Sequence, residues 1–139
     1  MNLLLILGAF LSSVAATLHL GIIVKGASWY RFFGAGEQFA RAAERGERWQ
    51  DLITLGIAMV LFTWAAYALS GAGVIARLPL LKYGLLLITT IYLLRGLVIL
   101  PMLFFASDKL NAFWIWSSLI CLGFGVVHAV GLAQVWKRL

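Results

Sequence analysis

Four long runs of the chain are almost entirely apolar: residues 3–24, 52–76, 83–106 and 112–136. Each run exceeds the ~20 residues that a helix rising about 1.5 Å per residue needs to cross about 30 Å of hydrocarbon. Their apolar residues are continuous and do not alternate with polar ones, which favours spanning helices over a membrane β-barrel. The pattern predicts an all-α fold, a four-helix transmembrane bundle that forms a single integral membrane domain over residues 1–139.

The connection between the first two runs is the longest polar segment of the chain. Its first half is rich in aromatic residues, which are typical of a membrane interface. Residues 36–48 then have a helix-forming composition. Two pairs within them are spaced four apart with the acid first, the order that stabilises a helix: Glu37 with Arg41, and Glu44 with Arg48. We expect a short interfacial helix here, with a solvated connecting helix as the alternative because its apolar face is narrow.

Composition separates this chain from soluble proteins. It is 63% hydrophobic and 12% charged, against roughly 45–50% and about 25% in soluble domains. Its formal charge of +6 is scattered over the polar segments and forms no basic stripe, so we expect no binding to nucleic acid. Membrane lipids are the expected partners, and small residues at helix-packing spacing also allow a homo-oligomer or a second membrane protein.

The bases near the ends of the runs determine the expected orientation. The two sides of a four-span topology carry nearly equal numbers of Lys and Arg. On the side of the termini, however, the bases have no acidic neighbours: Arg77, Lys82, Lys137 and Arg138. We therefore expect both termini to lie in the cytoplasm.

Arg95 is the only full charge within the four runs. An arginine at the centre of a spanning helix costs about 2.5–3.5 kcal/mol on insertion scales, so its guanidinium needs acceptors. Tyr92 lies one turn earlier on the same helix face, and Glu37 is an acid that the first loop could bring close. Three interpretations stay open: an arginine fixed by its own bundle, one that binds an anion, lipid headgroup or substrate, and one that extends to the interface.

Two histidines, His19 and His128, raise the question of a metal or haem site. Counted from the middle of their antiparallel runs, they differ in depth by roughly 14 Å, too far for one ligand sphere. We expect no metal and no cofactor, with each imidazole bonded between helices. His19 lies towards the first-loop side of its run. The predicted ligand-binding site therefore has four members: Arg95, His19, Tyr92 and Glu37.

No catalytic motif accompanies these residues. The sequence contains no His-Glu-x-x-His, Gly-x-Ser-x-Gly or Cys-x-x-Cys pattern and no phosphate-binding glycine loop. It therefore favours a role other than catalysis and identifies no catalytic residue.

Five sequence features recur in a familiar order: Leu18-His19-Leu20, the segment from Trp29 to Glu37, the run from Tyr67 to Gly73, Tyr92-Leu93-Leu94-Arg95-Gly96, and a late His128. Together they resemble a family of small four-span bacterial inner-membrane proteins. The resemblance covers nearly the whole chain. It implies a four-span fold and a multi-pass location in a bacterial inner membrane, and it carries no activity with it.

These observations predict a polytopic membrane protein with a binding, scaffold or accessory role, which holds an anionic lipid or a small anionic ligand at Arg95. The alternative is a small oligomeric transporter or channel in which Arg95 lines a wet pathway. A row of polar residues along a whole span would favour that alternative. The third run instead has its polar residues in one cluster: Thr89, Thr90, Tyr92 and Arg95.

Overall fold

The structure, a computed structural model, describes residues 2–32, 37–110 and 112–139, and for Glu37, Lys109 and Phe113 it describes the backbone alone. These residues form helices and no strand. The helices are α1 Leu3–Lys25, α2 Ala27–Phe32, α3 Glu37–Glu44, α4 Trp49–Ala72, α5 Leu81–Leu97, α6 Ile99–Phe105 and α7 Ala112–Val135, with 3-10 turns at Ser107–Lys109 and Trp136–Arg138. The predicted all-α class with four long apolar helices is confirmed.

Four helical segments are long and apolar enough to cross a membrane: Leu3–Lys25, Trp49–Ala72, Leu81–Phe105 and Trp114–Arg138. The third combines α5 and α6, which are separated at Val98. That residue keeps helical backbone angles, with φ −59° and ψ −22°. Pro101 has no N–H to donate to the carbonyl of Leu97, which explains why the regular helix is interrupted there.

Three of the described helices are followed by a glycine with positive φ, and two of them, α4 and α3, end with the same pair of hydrogen bonds. After α4, Gly73 has φ 84°, and its N–H and that of the next residue donate to carbonyls of the last helical turn. After α3, Gly46 has φ 76° and the same pair of bonds. This is the Schellman ending, which glycine adopts without steric cost. As a result α4 stops at Ala72 although the apolar sequence continues to residue 76, and the first-loop helix stops at Glu44.

The described chain divides into two compact units. The first consists of Met1–Ser12 and Trp64–Leu139, and the second is Ser13–Thr63. α1 and α4 each contribute residues to both. The first unit contains α5, α6 and α7, and the second contains the first loop with α2 and α3.

In the first unit, α5 and α7 run antiparallel and approach each other closely. A Cβ added to Gly96 would lie 2.6 Å from the backbone nitrogen of Leu122 and 2.7 Å from its Cα. One added to Gly125 would lie 2.6 Å from Leu93 Cδ2 and 3.0 Å from Leu93 N. Small residues let helix backbones approach in this way. α1 and α4 pack through a cluster of small buried residues: Ala9, Ala65 and Ala68.

Asn2 joins three helices at one end of the first unit. Its Oδ1 accepts the N–H of Leu5 at 2.9 Å, which caps the start of α1. Its Nδ2 donates to Gln134 Oε1 of α7 at 2.8 Å, and its backbone N–H donates to the carbonyl of Ala72, the last residue of α4, at 3.1 Å. The start of α1 is thereby fixed to the ends of α4 and α7.

Tyr30 is the centre of the second unit. It is 1% exposed, and its phenol donates to Asp51 Oδ1 at 2.7 Å and lies 3.3 Å from Thr54 Oγ1. Ile22 of α1 and Ala40 of α3 are buried against it. The phenol therefore fixes the first loop to the start of α4.

The apolar face of α3 packs against protein in this unit. Phe39 meets the ring of Tyr30 edge-on at 5.8 Å and the ring of Trp49 at 5.0 Å. Ala40 and Ala42 are fully buried. Tyr30 and Trp49 thus pack over the narrow apolar face that the sequence of α3 shows.

We expect Gly96→Ala to destabilise the first unit by about 1–3 kcal/mol, because the added methyl group would meet the backbone of Leu122, which has no rotamer that could relieve the overlap. Gly123→Ala is the matched control, since nothing lies within 4 Å of its added Cβ. Its stability should stay unchanged or rise slightly through helix propensity. Unfolding in detergent, followed by circular dichroism, measures both variants, and equal stabilities would contradict the close approach.

Burial raises the pKa of Tyr30 from 10.0 to about 12, a shift that the hydrogen bond with Thr54 opposes and the one with Asp51 reinforces. Because the folded-state pKa lies above the unfolded value, the neutral phenol stabilises the second unit fully below pH 10, and this contribution is lost as the pH rises through about 12. The stability difference between wild type and Tyr30→Phe should therefore be constant near neutral pH and shrink between pH 10 and 12. If the stability difference stays constant up to pH 12, ionisation of the phenol does not destabilise the folded second unit, which would contradict the raised pKa.

Candidate functional site

Arg95 bonds to two neutral hydroxyl groups of α7. Its Nη1 donates to Ser118 Oγ at 3.0 Å and its Nη2 to Ser117 Oγ at 2.9 Å. The guanidinium carbon lies 4.8 Å from the centre of the Trp114 ring, within the range of a cation–π contact. The neighbouring Gly96 makes this possible, because its contact with the α7 backbone brings the serines within reach of the arginine.

The guanidinium is displaced from the middle of the helix towards one end. Arg95 lies about 15 Å before the end of the segment Leu81–Phe105 at a rise of about 1.5 Å per residue, near its centre. Ser118 lies only about 6 Å inside the segment that begins at Trp114. The side chain thus extends along α7 towards the α6–α7 connection, as long basic side chains do near an interface.

The charge of Arg95 is not neutralised within the described residues. A guanidinium has five N–H donors, and two of them are used by the serines. No carboxylate of the described chain forms an ion pair with it. Arg95 is half-buried, so part of the residue stays accessible at the surface of the unit. This arrangement can accept an anion.

Tyr92 has a different set of partners. Its phenol lies 2.7 Å from Ser12 Oγ of α1, and its ring meets Trp64 of α4 edge-on at 5.1 Å. From α7, Phe124 and His128 lie against it with ring centres 5.4 and 5.1 Å away. Tyr92 therefore joins its own helix α5 to α1, α4 and α7. Its hydroxyl bonds to Ser12, while the guanidinium of Arg95 bonds to the serine pair.

The other two predicted site residues belong to the second unit. His19 is half-buried, and its Nδ1 lies 2.7 Å from the carbonyl of Ala15 in its own helix. Glu37 begins α3, and its side chain lies outside the described residues. Of the four predicted residues, the structure therefore gives Arg95 and Tyr92 positions in the first unit and His19 a position in the second.

His128 is fully buried in the first unit. Its Nδ1 lies 2.7 Å from the carbonyl of Phe124, one turn earlier, while Nε2 has no hydrogen-bond partner among the residues that the structure describes. The ring fills the space beside Gly8: a Cβ added there would lie 2.9 Å from both Cε1 and Nε2. The described residues include no group of three or more His, Cys, Asp or Glu side chains that could hold a metal ion.

The acceptors of Arg95 are the part of the site that the sequence did not identify. Ser117 and Ser118 stand out as adjacent hydroxyls near the start of a largely apolar helix. Their assignment to Arg95 depends on how α5 is aligned with α7. A glycine following Arg95 is the one local signal of that close helix contact.

We expect Gly8→Ala to destabilise the first unit by about 1–3 kcal/mol, because the methyl group would overlap the buried imidazole of His128. In a His128→Ala background the same change should cost much less, since the imidazole is gone. Thermal unfolding of the two single variants and the double variant gives the coupling. If the stability losses of the two single variants add in the double variant, the contact between the two residues does not explain the small residue at position 8.

Comparison of the chain with protein-family models, with curated proteins and with solved structures gave no match in any of the three.

Proposed function

We propose that this chain is a multi-pass protein of the bacterial inner membrane with a binding, scaffold or accessory role, and that it holds a phosphate or similar anionic group at Arg95. The observation that carries the proposal is the half-buried guanidinium, which meets two serine hydroxyls and an indole ring and no carboxylate of the described chain. The four long apolar segments support the membrane location.

The energies favour an additional acceptor. A central arginine costs about 2.5–3.5 kcal/mol to insert, and hydrogen bonds between helices in membranes contribute about 0.6 kcal/mol on average. Two serine contacts then offset roughly a third to a half of that cost. A phosphate oxygen forms charge-assisted bonds about twice as strong as neutral ones and matches the planar fork of the guanidinium. An anion is therefore the acceptor that Arg95 would bind best.

The depth of the Arg95 guanidinium in the membrane indicates which molecule supplies the anion. Trp114 lies in the first turn of α7, near the start of its apolar segment, and tryptophan is enriched where lipid headgroups begin. A guanidinium stacked on that ring lies close to the depth of lipid phosphates. An anionic phospholipid is the ligand that fits this depth, and a small soluble phosphate has the same chemistry.

We expect Arg95→Gln to lower the affinity for phosphatidylglycerol about tenfold, the effect of losing one charge-assisted contact. Arg48→Gln is the matched control, because it removes the same charge from an exposed side chain that is 85% accessible. Native mass spectrometry of purified protein measures the bound lipid, and a parallel titration with inorganic phosphate separates lipid from free anion.

A second variant tests the site without removing the charge. Ser117→Ala with Ser118→Ala deprives Arg95 of its neutral acceptors, so thermal stability should fall in a neutral detergent and recover when phosphatidylglycerol is added. An amount of bound phosphatidylglycerol in Arg95→Gln equal to that in the wild type would overturn the proposal, because lipid held elsewhere on the protein is retained by both. Solute flux into proteoliposomes that disappears with Arg95→Ala would instead support the transporter alternative.

A further inference from the structure

A second basic site lies at the opposite end of α7 from Arg95. A cavity of about 250 Å³ opens in the first unit between the α4–α5 connection and the C-terminal turn. Its lining combines small residues, apolar side chains and two arginines: Ser70, Gly71, Leu81, Val135, Arg77 and Arg138. Arg95 and its partners do not line it.

The connection that carries Arg77 is held in place by side chains of α4. Ser70 Oγ donates to the carbonyl of Ala76 at 3.0 Å and accepts the N–H of Leu78 at 3.0 Å, so it bonds to the residues on both sides of Arg77. Tyr67 donates to the carbonyl of Pro79 at 3.0 Å. These bonds fix the backbone on either side of Arg77 and place its side chain at the cavity.

Arg77 also reaches across to the chain that carries Arg138. Its Nη2 donates to the main-chain oxygen of Leu139 at 2.9 Å. That bond uses one of its five N–H donors. Arg77 and Arg138 thus line one cavity although they are 61 positions apart in the sequence. Asn2 gives the same end of the unit a fixed framework, because it joins α1, α4 and α7 there.

This end of the unit contains basic groups and no acidic side chain. Lys82 lies over the Trp136 ring at 4.0 Å, and Lys137 precedes Arg138. The one acidic residue between positions 64 and 139 is Asp108, which follows α6 at the far end of the segment Leu81–Phe105, roughly 35 Å away along the helix. The charged side chains that line the cavity are therefore both basic, which favours an anion.

The depth of the cavity indicates which anion. Three of its lining residues, Ala72, Leu81 and Arg138, are the terminal residues of three apolar segments. A cavity at the ends of spanning segments lies at the level of lipid headgroups. Two guanidinium groups on one cavity match a phosphate, whose oxygens accept paired N–H bonds.

We propose that this cavity binds a phosphate group, carried by an anionic phospholipid headgroup and held between Arg77 and Arg138. The site is independent of Arg95, because the arginine at position 95 bonds to residues at the start of α7 and the cavity lies at its end. It also accounts for the excess of basic over acidic residues on this side of the protein. If that excess served only a general attraction to the membrane, the basic residues would lie on the surface without lining a cavity.

Adjacent residues provide a matched test. Arg138→Gln removes a cavity-lining charge, while Lys137→Gln removes a charge next to it that does not line the cavity. Binding of phosphatidylglycerol to the purified full chain, measured by native mass spectrometry, should weaken about tenfold with Arg138→Gln and with Arg77→Gln, and less than about twofold with Lys137→Gln.

Phosphatidylcholine serves as the lipid without net charge, and inorganic phosphate as the free anion. Circular dichroism and gel filtration confirm folding of each variant, and Arg138→Gln, which lies in the final turn, keeps the test usable if Arg77→Gln unfolds.

The outcomes separate the possibilities. Loss of phosphatidylglycerol binding that is specific to the two arginines supports the lipid phosphate, and the same pattern with inorganic phosphate supports a free phosphate in the same site. Equal weakening by Lys137→Gln and Arg138→Gln would mean a diffuse surface charge and would overturn the proposal, as would no weakening. Combining Arg138→Gln with Arg95→Gln distinguishes the two sites: independent sites give losses that add, so failure of one leaves the other intact.

Discussion

Polar side chains in apolar helices have few partners available, and this constraint explains most of the bonds in the first unit. Water does not solvate a helix interior, so a hydroxyl, amide or guanidinium there must find its partner within the protein or in a bound ligand. Ser12 bonds to Tyr92, Asn2 to Gln134, and Arg95 to the serines of α7. Thr63 and Thr90 use the carbonyl one turn earlier in their own helix. These hydroxyls and amides bond to neutral groups, whereas the buried Thr89 Oγ1 has no hydrogen-bond partner within the described residues. The charged Arg95 also bonds to neutral hydroxyls, without a counter-charge.

The close contact of α5 and α7 fixes which residues of the two helices lie opposite each other, and so which α7 side chains can bond to Arg95. Gly96 meets the backbone of Leu122, and that contact decides which α7 side chains face Arg95. The same alignment brings Phe124 and His128 onto the ring of Tyr92. A single small residue thus sets both the arginine site and the aromatic centre of the unit.

Length and hydropathy were enough to predict the four long helices, because a spanning helix needs about 20 apolar residues and no specific neighbour. The ends of the helices were harder to predict from the sequence. α4 stops at Ala72 because Gly73 adopts positive φ, while the apolar sequence continues. The importance of Arg95 was visible as an isolated charge. Its acceptors were not, since Ser117 and Ser118 are 22 and 23 positions away and their pairing depends on helix register. The partner of Tyr92 is 80 positions away in α1, which no local pattern indicates.

Gly8 and Gly96 are both tightly packed glycines, yet they differ in what surrounds them. The space at Gly8 is filled by the side chain of His128, so a larger residue at position 8 could be accommodated by a smaller one at position 128. The space at Gly96 is filled by the backbone of residue 122, which is the same for every amino acid. In sequences that share this fold, positions 8 and 128 should therefore covary, whereas position 96 should remain glycine whatever residue occupies position 122.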